Sequence, residues 1–145
     1  SNGSLGFYRR KCYGYDKDEK GDLVINEEQA EVVRLIFHLY LKGKSVGGII
    51  NELEDRNIKS PTGKDTWPKR SVETMLSNEK YIGIAAVKIG GEEGQVYKLN
   101  NSHPAIISKE KFDAVQGDHL NRSNVEQTED GPKRKKTKYS SKKRN

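Results

Sequence analysis

The residues whose types and spacing could do chemistry are cations and small polar side chains between positions 64 and 77. Lys69, Arg70, Ser71, Thr74 and Ser77 surround a narrow apolar seam of Val72, Met75 and Leu76, with Lys64 and Trp67 just upstream. A helix that reads a DNA major groove needs this division of labour. One side docks on its own domain, and short polar or cationic side chains near its N-terminus reach base edges and phosphates. An amphipathic surface helix with a solvated outer face has the same pattern, so the pattern alone leaves both readings open. A second cluster, Arg9-Arg10-Lys11, sits among aromatics near the start of the chain. Arginines in an extended arm suit a narrow minor groove, where the potential is most negative. A basic terminal segment with no defined partner is the alternative.

Catalytic chemistry is poorly represented. A nucleophile needs a base within hydrogen-bond reach and a group that orients the base. His38, His103 and His119 are far apart in sequence and belong to no triad, zincin or paired-histidine pattern. Cys12 is the only cysteine, which excludes a disulfide framework and a CxxC metal knuckle. The GGEEG run at 90–94 lacks the lysine and following helix of a phosphate loop, and a hairpin turn accounts for it better. The expectation is a chain without catalytic residues, bound metal or cofactor.

The elements that must position the cations follow from local patterns. Apolar content is 32% against 33% charged, so part of the chain should be solvated rather than packed. Two short β-hairpins are expected, from Cys12–Asp16 with Asp22–Ile25 and from Ile84–Ile89 with Gln95–Leu99. Asn26 as N-cap, Glu27 and Glu28 at the positive dipole end and Gln29 at the capping-box position open a helix over 27–42. Its stripe is Ala30, Val33, Ile36, Phe37, Tyr40 and Leu41, and Gly43 stops it. Ser45 caps a second helix over 46–56, with Asn57 at its end. Gly47 and Gly48 in its first turn point to tight packing or to a close-approaching backbone or phosphate. After a turn-rich loop, Pro68 starts the third helix, which ends near Asn78. Ser108 caps a fourth over 109–121, with Phe112, Val115 and Gln116 on one side. From Asn121 on, no apolar periodicity remains, and residues 123–145 read as a disordered basic linker.

Charge is concentrated at the end. Residues 132–145 hold eight of the 27 Lys and Arg and no acid, so against a net +6 the remainder carries about −2. A basic face on the folded part must therefore come from local clustering. No apolar run approaches membrane-spanning length and no signal peptide opens the chain, so a cytoplasmic protein is expected.

The order and spacing of several blocks resemble the recombinase domain of large serine recombinases, the phage integrases and resolvase-like transposon recombinases. The resemblance runs through YGY (13–15), DLVINEEQAEVVRLIFHLYLKGKSVGGIINELEDRNIKSPTGKDTW (22–67), SVETMLSNEKYIG (71–83) and NSHPAIISKEKFDAVQ (101–116), about residues 7–122 in all. It implies a parent enzyme whose nucleophilic serine lies in another domain, with a zinc ribbon beyond the basic linker, toward which the ending TKYSSKKRN would lead. It implies that this chain binds double-stranded DNA as part of an attachment-site half, inside a dimer or tetramer, the isolated fragment being a monomer. On that likeness Arg9, Arg10 and Lys11 form the minor-groove arm and the helix from Pro68 enters the major groove. Members commonly carry proline before YGY; here Cys12 stands there.

The expected fold is therefore α+β: a mainly helical small domain of about four helices with two short β-hairpins, helix-turn-helix-like. The loop before its third helix is longer than the usual three or four residues. Residues 1–11 form the arm, 12–122 the DNA-binding domain and 123–145 the linker. A transcription regulator of another family, or a protein-interaction domain with an incidental basic tail, are the rival readings.

Overall fold

The computed structural model describes residues 11–91 and 94–129; Arg9, Arg10 and residues 130–145 lie outside the described residues. In order along the chain come β1 (Tyr15–Lys17), β2 (Leu23–Ile25), α1 (Glu27–Leu41), α2 (Val46–Asp55) and α3 (Lys69–Leu76). A short 3-10 turn (Glu79–Ile82), β3 (Ala85–Ile89), β4 (Gln95–Leu99) and α4 (Lys109–Glu129) complete it. This is the α+β arrangement expected. Helix α1 packs against α2, α3 and α4, and α3 in turn contacts α2 and α4. The strands form two separate antiparallel pairs, β1 with β2 and β3 with β4. Among the described residues no helix is long and apolar enough to cross a membrane.

Local signals explain the first two helices. Asn26 Oδ1 accepts the Gln29 amide at 3.1 Å, and Ser45 Oγ accepts the Gly48 amide at 3.1 Å. Gln29 does not close a capping box. Its Oε1 instead accepts the Gly14 amide at 2.8 Å and ties the first hairpin to α1. Both helices end in Schellman geometry. Lys44 N–H reaches Leu39 O and Gly43 N–H reaches Tyr40 O; Ile58 N–H reaches Leu53 O and Asn57 N–H reaches Glu54 O. Asn57 accepts φ 59° to make the turn.

The core lies between α1 and everything that crosses it. Ala30, Val33, Ile36, Phe37 and Tyr40 are buried on α1, facing Ile49, Leu53, Val72, Phe112 and Val115. Phe37 stacks on Phe112 and meets Tyr81 edge-on, each at 6.2 Å between ring centres. The first hairpin starts later than expected. At Gly14 the chain turns with φ 107°, so Cys12 precedes the strand instead of joining it. The positive φ favours glycine here, and a Cβ would also stand 2.9 Å from Ile106 Cδ1 and push that side chain aside.

Two other expectations change. Gly47 and Gly48 are not sites of tight packing: a Cβ there would meet nothing but Ser45 Oγ and the Lys44 side chain. And α4 runs to Glu129, through the segment 123–129 expected as disordered linker. Its path is held by Arg122, whose guanidinium lies 3.8 Å from the Tyr40 ring centre and donates to Tyr40 O and Lys44 O at 2.7 and 2.8 Å. Tyr40 O is in the last turn of α1 and Lys44 O in the turn that follows it, so one side chain ties α4 to the end of α1 at the point where the apolar spacing of α4 stops.

Candidate nucleic-acid interface

Helix α3 buries Val72, Met75 and Leu76, and the seam predicted from spacing is the seam observed. Its other side stands out from the surface. Lys69, Arg70, Thr74 and Ser77 are exposed and Ser71 is half-buried. Pro68 provides no side-chain cap, which leaves the first-turn amides without a side-chain acceptor at the end where the helix dipole favours an anion.

The ridge is bordered by concavities on both flanks and at its C-terminal end. On one flank a groove of about 430 Å³ runs beside Lys11, Arg70, Ser71, Thr74, Asn78 and Lys80. It thus joins the end of the N-terminal arm to α3, two clusters 58 or more positions apart in sequence. No carboxylate lines it, so three cations and several hydroxyl and amide groups face one concavity. This geometry concentrates positive potential locally although the folded part carries little net charge. Its floor is apolar and neutral. Burial pushes the Cys12 thiol up, against the lowering effects of the Lys80 charge and of hydrogen bonding by Tyr81 and Asn78. Cys12 is thus the small buried residue that sequence suggested, without thiolate character.

On the other flank a cleft, also of about 430 Å³, separates α3 from α4 and α1. Arg70, Glu73 and Thr74 line it from α3 and Ser77 from just beyond, opposite Gln116 and His119, above an apolar floor that includes Leu76 and Val115. Arg70 and Thr74 border both concavities and form the crest. At the C-terminal end, a third hollow of about 390 Å³ lies between Ser77–Lys80 and β3.

Trp67 leaves the candidate set. It is 4% exposed, its indole Nε1–H donates to Ile58 O at 2.8 Å and its amide to Glu54 Oε2 at 2.8 Å. The ring meets Tyr13 edge-on at 6.1 Å. Such a large apolar surface is worth more in the core than in solvent. Trp67 pins the α2–α3 loop, so it sets where α3 begins and presents nothing outward. Lys64 is exposed on that loop, and Lys69 is exposed beside Glu73 at 4.0 Å; neither lines the hollows around α3. Asn78 and Lys80 were missed from sequence. They follow the helix, where Asn78 reads only as a cap, and indeed its Oδ1 accepts the Lys80 amide at 3.0 Å.

The histidines stay apart in space. His103 is buried with Nε2 2.6 Å from Lys80 O, His119 Nδ1 lies 3.4 Å from Tyr40 Oη, and His38 is exposed on α1. Among the described residues no group of three His, Cys, Asp or Glu could share a metal ion.

Residues 27–122 match the family model described as Recombinase. A Bacillus subtilis (strain 168) protein named "Putative DNA recombinase" is 30% identical over 132 residues, covering 73% of this chain and 26% of the relative. The Escherichia coli (strain K12) "Uncharacterized protein YbcK" is 27% identical over 100 residues, covering 68% and 20%. Among solved structures, "Crystal Structure of a LSR-DNA Complex" superposes with a TM-score of 0.60 at 25% identity, over 78% of this chain and 32% of the other. The structure "Sequence Requirements of the Listeria innocua prophage attP site" gives 0.59 at 25% identity, over 76% and 42%. The chain thus spans less than half the length of each of these proteins.

Proposed function

The chain belongs to the recombinase family, and from that premise we propose that it is a DNA-contacting module of a site-specific serine recombinase, reading part of an attachment-site half. The observation that carries this reading is the α3 crest. Arg70 and Thr74 stand exposed over a fully apolar seam, with Lys11 and Lys80 across an acid-free groove. A duplex fits that relief: α3 enters the major groove, and the cations beside it take the flanking phosphates. Arg9 and Arg10, which precede Lys11 in sequence, supply cations for the adjacent minor groove.

The solved relative's description names a DNA complex, which supports the same partner for this chain. Bond breakage is assigned to the rest of the parent polypeptide, which acts as a dimer or tetramer on the chromosome. The present chain supplies affinity and register, binds as a monomer and needs no cofactor of its own. Isolated, it binds weakly, because an intact recombinase engages each half-site through linked modules whose effective concentrations multiply.

The test is Arg70→Ala, with binding followed by fluorescence anisotropy on a half-site selected from a random pool and on its scrambled counterpart. A bidentate guanine contact predicts a loss of about 1–3 kcal/mol on the selected site and a smaller loss on the scrambled one. Equal losses on both would reduce Arg70 to a phosphate contact. No loss on either would remove α3 from the interface.

A further inference from the structure

The register of the second hairpin places two lysines on one face. Ala86 pairs with Lys98 and Lys88 with Val96, so Ala86, Lys88, Val96 and Lys98 share a face, while Ala85, Val87, Tyr97 and Leu99 share the other. The orientation of the lysine face is settled by its neighbours. Ala86 lines the hollow at the C-terminal end of α3, together with Ser77, Asn78 and Lys80. Lys98 Nζ reaches Glu79 at 2.8 Å, in the wall of the same hollow. The face carrying Lys88 and Lys98 therefore continues the surface that begins at the α3 crest and passes through Asn78 and Lys80.

We propose that this hairpin face is a second phosphate-binding surface, extending the DNA track past the C-terminal end of α3, with Lys88 as its principal cation. The inference rests on the DNA-binding reading above and deepens it. Lys98 shares its charge with Glu79, whereas the Lys88 side chain has no hydrogen bond or ion pair among the described residues. Lys88 lies two residues beyond Ala86, about 6.6 Å further along the strand at roughly 3.3 Å per residue. A lysine stem adds several ångströms of reach, so its ammonium meets a backbone that runs over the hollow. A point charge on a flexible stem suits phosphate contact without base readout. The rival account is that lysines on a two-stranded edge only prevent edge-to-edge pairing.

The experiment compares the full chain with Lys88→Gln and Lys88→Arg on the selected half-site and on a random-sequence duplex across a salt series, with thermal melting of each variant as the folding control. The expected result is weaker binding by Lys88→Gln, equal on selected and random duplexes, with a salt slope smaller by about 1, and recovery in Lys88→Arg. An unchanged salt slope in Lys88→Gln overturns the proposal and leaves edge protection as the role of the lysines. Arg70→Ala separates this failure from failure of the parent reading. If Arg70→Ala weakens binding while Lys88→Gln does not, the α3 interface stands and the hairpin surface falls. If the unaltered chain binds no duplex, both fall together.

Discussion

Both hairpins pair short antiparallel strands through glycine-containing turns, but β1–β2 is built into the core and β3–β4 projects from it. Tyr15 and Leu23 of the first pair are buried among the main core residues. The Tyr15 hydroxyl donates to Pro104 O at 2.7 Å and also lies 3.1 Å from Lys80 O, and the ring stacks at 6.2 Å on Tyr81. In the second pair Ala85 and Val87 are buried but stand outside the main core, and every residue of β4 is exposed. Ladder length does not account for the contrast, because the projecting pair has five paired positions and the buried pair three. The difference lies in whether inward side chains find long-range partners, since an isolated two-stranded hairpin is marginal in water. One hairpin is framework that fixes the arm-side groove, and the other is a surface available to a partner.

The strongest way to break this contrast is Tyr15→Ala. It removes a buried ring and leaves two backbone carbonyls without the phenol, and the expected loss is about 3–5 kcal/mol in urea denaturation. A loss under about 1 kcal/mol would show that the first hairpin is no better anchored than the second.

His103 sharpens the same point at the junction of the two halves. Its ring meets Tyr15 edge-on at 5.0 Å and its Nε2 lies 2.6 Å from Lys80 O. Burial lowers its pKa from the ordinary 6.5, the nearby Lys80 charge adds to this, and the bond to the Lys80 backbone opposes it. The folded state then binds the proton less readily than the unfolded state. Stability is fully present above about pH 6.5 and falls as the pH drops through the window below it. Urea midpoints at neutral and mildly acidic pH should show this decline, and His103→Gln should flatten it. An equal decline in the variant would assign the effect to other groups.

The smallest effect is expected at Tyr97, half exposed on β4. Tyr97→Ser should change stability by no more than about 0.5 kcal/mol. A loss comparable to that of Tyr15→Ala would mean that the projecting hairpin is part of the folding core after all.

Legibility followed the range of the interactions. Asn26, Ser45 and Gly43 declare the ends of α1 and α2 because each acts within a few residues of itself. The seam of α3 was equally readable, since Val72, Met75 and Leu76 recur at helical spacing. Trp67 was misjudged because proximity to cations says nothing of burial, which here depends on Glu54, Ile58 and Tyr13. The true length of α4 was hidden because Arg122 finds Tyr40 O from 82 positions away. A signal did exist: no Gly or Pro interrupts residues 118–130, and Asp118 and Arg122 stand at i,i+4, where they pair at 3.1 Å.

By itself the sequence determined the caps, the apolar stripes, the number of helices and hairpins, and the existence of a polar side on α3, because these depend on dihedral preferences and periodicity within one or two turns. Only the tertiary structure decided that Lys11, Arg70 and Lys80 face one acid-free groove, that Trp67 is withdrawn from it, and which face of β3–β4 borders the neighbouring hollow at the end of α3. Those outcomes depend on contacts between residues distant along the chain, where burial and close packing select one arrangement from many that local pattern allows.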